Sequence, residues 1–354
     1  MAPRDDSPAF PPTAPSPSTE DPPPPTGSDP PHEPEPAAEV VPLVMEPSGC
    51  GYNYILDGDF VQPFDFHLPS VHALRASLTL GRSDVVIATY PKCGTTWMQQ
   101  LVLLLLRGAD APPFAPMREA PWLEVSASSA ATHAAASSPP LSVGQIVART
   151  HAEAQSGRHA WKTHAAVRKV PWRGGVAAAA AAAARLVVVS RNPKDTAVSM
   201  FHHTVNIPPF GFRGGWDDFA RLFLAGRVES SSFWEWHREW WAAAQEHRDA
   251  VLWVRFEEMK ADLVGVVRRV AEHLQLERSE EEVRKIAARC GFDAMKSEAE
   301  ARDSKAGENG GYVKKGHFRS GTVGGYRSVM SAETEALFDA KTEELAALGC
   351  DLRD

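Results

Sequence analysis

Apolar positions along this chain gather in short β-branched runs rather than in one continuous stripe. Residues 85–90, 160–163, 186–190 and 251–256 each combine Val, Ile, Leu or Trp over four to six positions, which predicts four strands. Helix-period patterns follow three of them. One covers 97–107, a second opens at Asn192-Pro193, where an N-cap residue precedes proline at the first helical position, and a third runs over 257–274. Strands that alternate with helices predict an α/β fold: a single domain with a central, mainly parallel sheet flanked by helices. In such sheets ligands bind at the carboxyl ends of the strands. A last amphipathic helix is expected over 332–348. The glycine-rich, charged stretch from Lys296 to Gly325 reads as a long mobile loop. Two alanine-rich runs, 127–136 and 177–184, carry no chemistry.

The first segment has a different character. Of the 29 prolines, 15 fall within the first 42 residues, among Ser, Thr, Asp and Glu. So little apolar surface cannot offset the entropy of ordering, so residues 1–45 are expected to be a disordered tail and residues 46–354 the folded domain. The prolines at 22–25 suit polyproline recognition, although a merely solvated tail is the simpler reading.

Charge and cysteine content narrow the function classes. A formal net charge of −8 gives no general attraction to nucleic acid or to an anionic membrane, so any anion must be captured locally. Cys50, Cys93, Cys290 and Cys350 have neither zinc-site spacing nor the density of a disulfide framework. The N-terminus lacks the basic start and apolar run of a secretory signal. The longest apolar stretch, 176–189, is mostly alanine and interrupted by Arg185, too weak to span a bilayer. The expectation is a cytoplasmic protein with no metal.

Three segments carry chemistry. Tyr90-Pro91-Lys92-Cys93-Gly94-Thr95-Thr96-Trp97 joins a strand to a helix. Backbone N–H groups, two hydroxyls and an ammonium at a helix N-terminus suit a phosphate or phosphosulfate. The lysine precedes the glycine, whereas the nucleotide-hydrolase loop needs GxxxxGK and then Ser or Thr. Arg191-Asn192-Pro193, with Ser199 two turns further on, stands directly after another strand, and arginine can grip a phosphate through two parallel donors. Lys162 and His164, two apart at a strand end, point the same way. A neutral imidazole there can accept a hydroxyl proton, and the neighbouring ammonium favours its neutral form. His151 is a rival base, but it lies 40 residues before Arg191 against 27 for His164, and the shorter spacing suits a single crossover.

These segments, in this order, resemble those of the cytosolic sulfotransferases, which use 3′-phosphoadenosine 5′-phosphosulfate (PAPS) as sulfonate donor. The resemblance runs from about residue 57 to 354. It implies that Lys92 contacts the bridging oxygen, that Cys93, Gly94, Thr95 and Thr96 cradle the 5′-phosphate, and that Trp97 stacks on adenine. It implies Arg191 and Ser199 for the 3′-phosphate, Phe292 as a second adenine-stacking ring, and His164 as base, with Lys162 beside it. The segment Arg319-Ser320-Gly321 is similar to the family's C-terminal 3′-phosphate motif. Several positions depart from the pattern: Cys93 for serine, Ser320 for lysine, Tyr326 for tryptophan, Arg327 for lysine and Phe256 for tyrosine. The family's dimerisation motif is only partly matched over 327–336, so a homodimer is left open.

The implied reaction is in-line transfer of sulfonate to the hydroxyl of a small acceptor. Two other readings stand beside it: a weakly active PAPS-binding protein whose tail recruits a partner, and a nucleotide-dependent kinase, which the missing GK[ST] disfavours. The aromatic cluster over 233–241 has helical spacing and reads as core packing.

Overall fold

In the computed structural model, residues 40–45, 50–127, 157–306 and 321–353 are described. Four parallel strands form the central sheet: β4 (Asp84–Thr89), β5 (His159–Thr163), β6 (Arg185–Ser190) and β7 (Val251–Arg255), in the order β5-β4-β6-β7. A smaller antiparallel sheet consists of β1 (Val40–Met45), β2 (Cys50–Asp57) and β3 (Phe60–Pro63). Val40–Met45 pairs with β2 through the register Val40↔Ile55 to Met45↔Cys50. These six residues were expected to belong to the tail, and their apolar sequence VVPLVM instead adds a strand.

The central sheet is buried on both faces, which is why its strands lack polar alternation. Val86 and Ala88 of β4 and Leu186 and Val188 of β6 enter one core, while Val85, Ile87, Val187 and Val189 enter the other. The first core is closed by the helices Leu68–Ser77, Trp216–Leu224 and Phe233–Glu246. The second is closed by Thr95–Arg107, Leu263–His273 and Glu280–Arg289.

β4 leads across to β5 on one side, and β6 leads to β7 on the other. The connections after β4 and β6 therefore diverge, and a crevice opens between those strands at their carboxyl ends. Parallel registers Ala88↔Thr163, Thr89↔Val189 and Ser190↔Arg255 align the strand ends. His164, Tyr90, Arg191 and Phe256 are each the first residue past their strands, staggered by up to two positions along the edge of the sheet.

Two expected elements differ. The helical pattern over 257–274 divides into Phe256–Ala261 and Leu263–His273. Asp262 ends the first and caps the second, its side chain accepting from the Gly265 N–H at 2.8 Å. The loop expected from Lys296 begins later, because Phe292–Ala306 is a helix. Its Ala, Glu, Lys and Arg residues are strong helix formers, and the glycines begin only at Gly307. The remainder of that loop, residues 307–320, lies outside the described residues, as do the first 39 residues and 128–136 of the first alanine run.

Candidate active site

The turn after β4 is built for an anion. Lys92 has φ +70° and Gly94 φ +105°. Gly94 is the N-cap of the Thr95–Arg107 helix and offers no side-chain cap, so no cap side chain competes with an anion for the first-turn N–H groups. A Cβ at Gly94 would stand 3.0 Å from the Phe256 ring, so that close approach requires glycine as much as its φ does. The Pro193–Val205 helix differs, because the Asn192 side chain accepts from the Lys194 and Asp195 N–H groups.

Arg191 joins the two turns. It is only 7% exposed and donates through one terminal nitrogen to the Lys92 carbonyl and through the other to the Thr322 carbonyl, both at 3.1 Å. Its guanidinium lies 4.3 Å from the centre of the Phe256 ring, and Trp97 meets the same ring edge-on at 5.2 Å. Phe256, lacking the hydroxyl common at this position in the resembling family, is thus the surface on which Gly94, Trp97 and Arg191 assemble. The Cys93 thiol is buried and 3.6 Å from the Thr196 hydroxyl. Burial pushes its pKa up to about 12, so it stands there as a neutral thiol.

His164 is held by geometry that assigns its tautomer. His164 Nδ1 lies 2.7 Å from the Thr89 carbonyl, which can only accept, so Nδ1 carries the hydrogen and Nε2 keeps a lone pair. Thr89 Oγ1 is also near, 3.2 Å from Nδ1 and 2.6 Å from the Thr95 hydroxyl. Burial, then the Lys162 charge, holds the His164 pKa well below the ordinary imidazole value, with His203 and Lys92 adding to this. Lys162 and His164 both pack on Trp122: the ammonium is 4.3 Å from its ring centre, and the imidazole meets it edge-on at 4.6 Å. They face one side, as strand alternation predicts, although His164 sits one residue past β5. Burial lowers the Lys162 pKa to about 8, against the pull of Glu229 and Glu124.

Several contributors had no sequence signal. Glu124, 1% exposed, accepts from the Thr163 hydroxyl at 2.6 Å and from the His164 N–H at 3.3 Å. The indoles of Trp236 and Trp240 both donate to the Ala165 carbonyl at 3.0 Å. The aromatic cluster is core, as expected, and it also clamps the segment that carries His164. Asp195 accepts from the Gly324 N–H at 2.7 Å and the Tyr326 N–H at 3.1 Å, which draws residues 324–326 onto the Pro193–Val205 helix.

The remaining expected residues take these positions. Ser199 is half-buried on the second turn of that helix. Phe292 starts its helix with Gly321 against it, since a Cβ on Gly321 would meet the ring at 2.8 Å. Thr96 and Trp97 are half-buried in the first turn after Gly94. Arg319, Ser320 and the rival base His151 lie outside the described residues. Among the described residues no cluster of His, Cys, Asp and Glu forms a metal cage, and no helix is long and apolar enough to cross a membrane.

A family model described as a sulfotransferase domain matches residues 82–349, most of the chain. This chain belongs to the sulfotransferase family. Among its relatives, the luciferin sulfotransferase of Photinus pyralis is 27% identical over 323 residues, covering 86% of this sulfotransferase and 79% of the relative. Sulfotransferase 1A1 of Bos taurus is 27% identical over 277 residues, covering 76% and 85%. Two solved structures share the fold. Mouse SULT7A1 complexed with PAP has a TM-score of 0.61 at 23% identity, over 81% of this chain and 92% of that one. Retinol dehydratase in complex with androsterone and PAP has 0.63 at 20%, over 86% and 91%.

Proposed function

We propose that this sulfotransferase carries a sulfonate group from PAPS to the hydroxyl of a small-molecule acceptor, with His164 as general base. The observation that carries the assignment is the hydrogen bond from His164 Nδ1 to the Thr89 carbonyl. It leaves Nε2 unprotonated on an imidazole that shares the Trp122 ring with Lys162, at the strand ends from which both turns leave.

The residues suit the donor. The uncapped helix start after Gly94, with Lys92 in the turn, offers a cradle for the 5′-phosphosulfate. The turn after β6, with Arg191 and Ser199, offers a second cationic position for the 3′-phosphate. Trp97 and Phe292 are the aromatic faces proposed for adenine. PAPS supplies the activated sulfonate and leaves as 3′-phosphoadenosine 5′-phosphate (PAP). Around it, Nε2 of His164 takes the acceptor's proton as the new O–S bond forms, and Lys92 and Lys162 offset the charge that grows on the bridging oxygen as the old S–O bond breaks.

Likeness to luciferin sulfotransferase and to cytosolic sulfotransferase 12 of Arabidopsis thaliana supports small acceptors and a cytoplasmic location for this chain as well. The four cysteines, all buried and none in a disulfide, are consistent with that compartment.

The test is transfer of labelled sulfonate from PAPS to a panel of phenols and alcohols. His164→Ala is expected to lower kcat/KM by roughly 10²–10⁴ while PAP still binds. Transfer that survives the substitution would move the base elsewhere, and PAP binding without transfer by the unaltered enzyme would favour a binding protein.

A further inference from the structure

A file of buried hydroxyls joins His164 to the turn proposed for the 5′-phosphosulfate. Thr89 ends β4, Thr95 begins the helix after Gly94, and both side chains are buried. Their hydroxyl oxygens stand 2.6 Å apart, and Thr89 Oγ1 stands 3.2 Å from His164 Nδ1. Three polar groups thus run in sequence from the first residue of that helix to the imidazole.

One end of the file has a fixed direction. Nδ1 carries its hydrogen, because its nearer partner is the Thr89 carbonyl at 2.7 Å, so Thr89 Oγ1 meets it as an acceptor. The other end is reversible. Each hydroxyl has one hydrogen, and either Thr89 or Thr95 can donate across the gap between them. A phosphate at the helix start removes that freedom, since its oxygens only accept and draw the Thr95 hydrogen to themselves. Thr95 Oγ1 then accepts from Thr89, whose own hydrogen is committed to that bond. The lone pairs of Thr89 Oγ1 are left for Nδ1–H, and hydrogen bonds in a row polarise one another.

On the reading that His164 is the base for transfer from PAPS, we infer that Thr89 is a positioning residue whose hydroxyl couples the donor to His164, tightening its hold on Nδ1–H once the 5′-phosphate is bound. The imidazolium that forms when Nε2 takes the acceptor's proton gains most, because its Nδ1–H is the stronger donor. His164 is thereby a better base while a sulfonate donor is in place than when the turn is empty. Other groups face it too. Lys162 on β5, Lys92 in the turn and His203 on the Pro193–Val205 helix disfavour the imidazolium, and Glu124 accepts from the His164 N–H. These act with or without the Thr89 hydroxyl, so removing that hydroxyl isolates its share.

The experiment compares Thr89→Val, which keeps the side-chain shape and the backbone carbonyl, with Thr89→Ser, which keeps the hydroxyl. At saturating PAPS, Thr89→Val is expected to lower kcat by roughly 10-fold while the Kd of PAP, read by calorimetry, changes by no more than about twofold. Thr89→Ser should retain most of the activity. The proton resonance of His164 Nδ1–H, assigned in histidine-labelled protein by its loss in His164→Ala, is a readout that a merely structural role would not move. Adding PAP is expected to shift it downfield in the unaltered protein and in Thr89→Ser, and by less than half as much in Thr89→Val. A PAP-induced shift of this pattern without sulfonate transfer by the unaltered protein would sink the reaction and keep the coupling. No shift in the unaltered protein, or an equal shift in Thr89→Val, would overturn the inference.

Discussion

As the proposed base, His164 works through a single nitrogen, and its neighbours decide the pH range in which that nitrogen is free. Its pKa is held well below the ordinary imidazole value, so with His164 as the proposed base no acid limb is expected near pH 6.5. Lys162 contributes as a cation. With its pKa lowered to about 8, that charge is present below pH 8 and is lost as pH rises through it. For an aliphatic alcohol acceptor, which does not titrate in this range, kcat/KM for the donor is therefore expected to be near its maximum up to about pH 7 and to fall with a midpoint near 8. Lys162→Arg should remove the alkaline fall, because a guanidinium stays charged. A profile with an ordinary imidazole limb would mean that another group is the base.

At the scale of elements, the strands and the turns after β4 and β6 were legible because each is local: a β-branched run, then a turn whose residue types reveal its purpose. What was not legible depends on residues distant in sequence. Glu124 and Glu229 are isolated acids along the chain, and only the tertiary fold brings their charge to bear on Lys162. The hydrogen bonds from Trp236 and Trp240 to Ala165 cross more than 70 residues. The break at Asp262 was hidden because apolar spacing continues through it, and the helix Phe292–Ala306 because the glycines beyond it dominated the reading. Arg191 shows what such distant contacts do, since it spans both turns and stacks on Phe256 at once. A lysine cannot present two planar donors and stack as well. Arg191→Lys is expected to weaken PAP binding by 10-fold or more in calorimetry, and an unchanged Kd would show that the bridge is dispensable.

For the molecule as a whole, the second turn depends on the far end of the chain. Lys194 pairs with Glu335 at 3.0 Å and Asp339 at 2.8 Å on the Ala332–Ala346 helix. Arg255 donates to the Arg353 carbonyl at 2.7 Å and Asn192 to the Leu352 carbonyl at 3.4 Å. Leu352 is fully buried, a burial that contributes about 1.5–3 kcal/mol. Deleting residues 350–354 is expected to lower the Tm and also to weaken PAP binding, as thermal melts with and without PAP would read; a lower Tm with unchanged PAP affinity would make the tail purely structural. The same docking orders events during synthesis. The Asn192 turn leaves the ribosome some 160 residues before Leu352 does, so a nascent chain can pair its parallel strands while that turn still lacks its last partners, and the turn closes only once Leu352 has emerged.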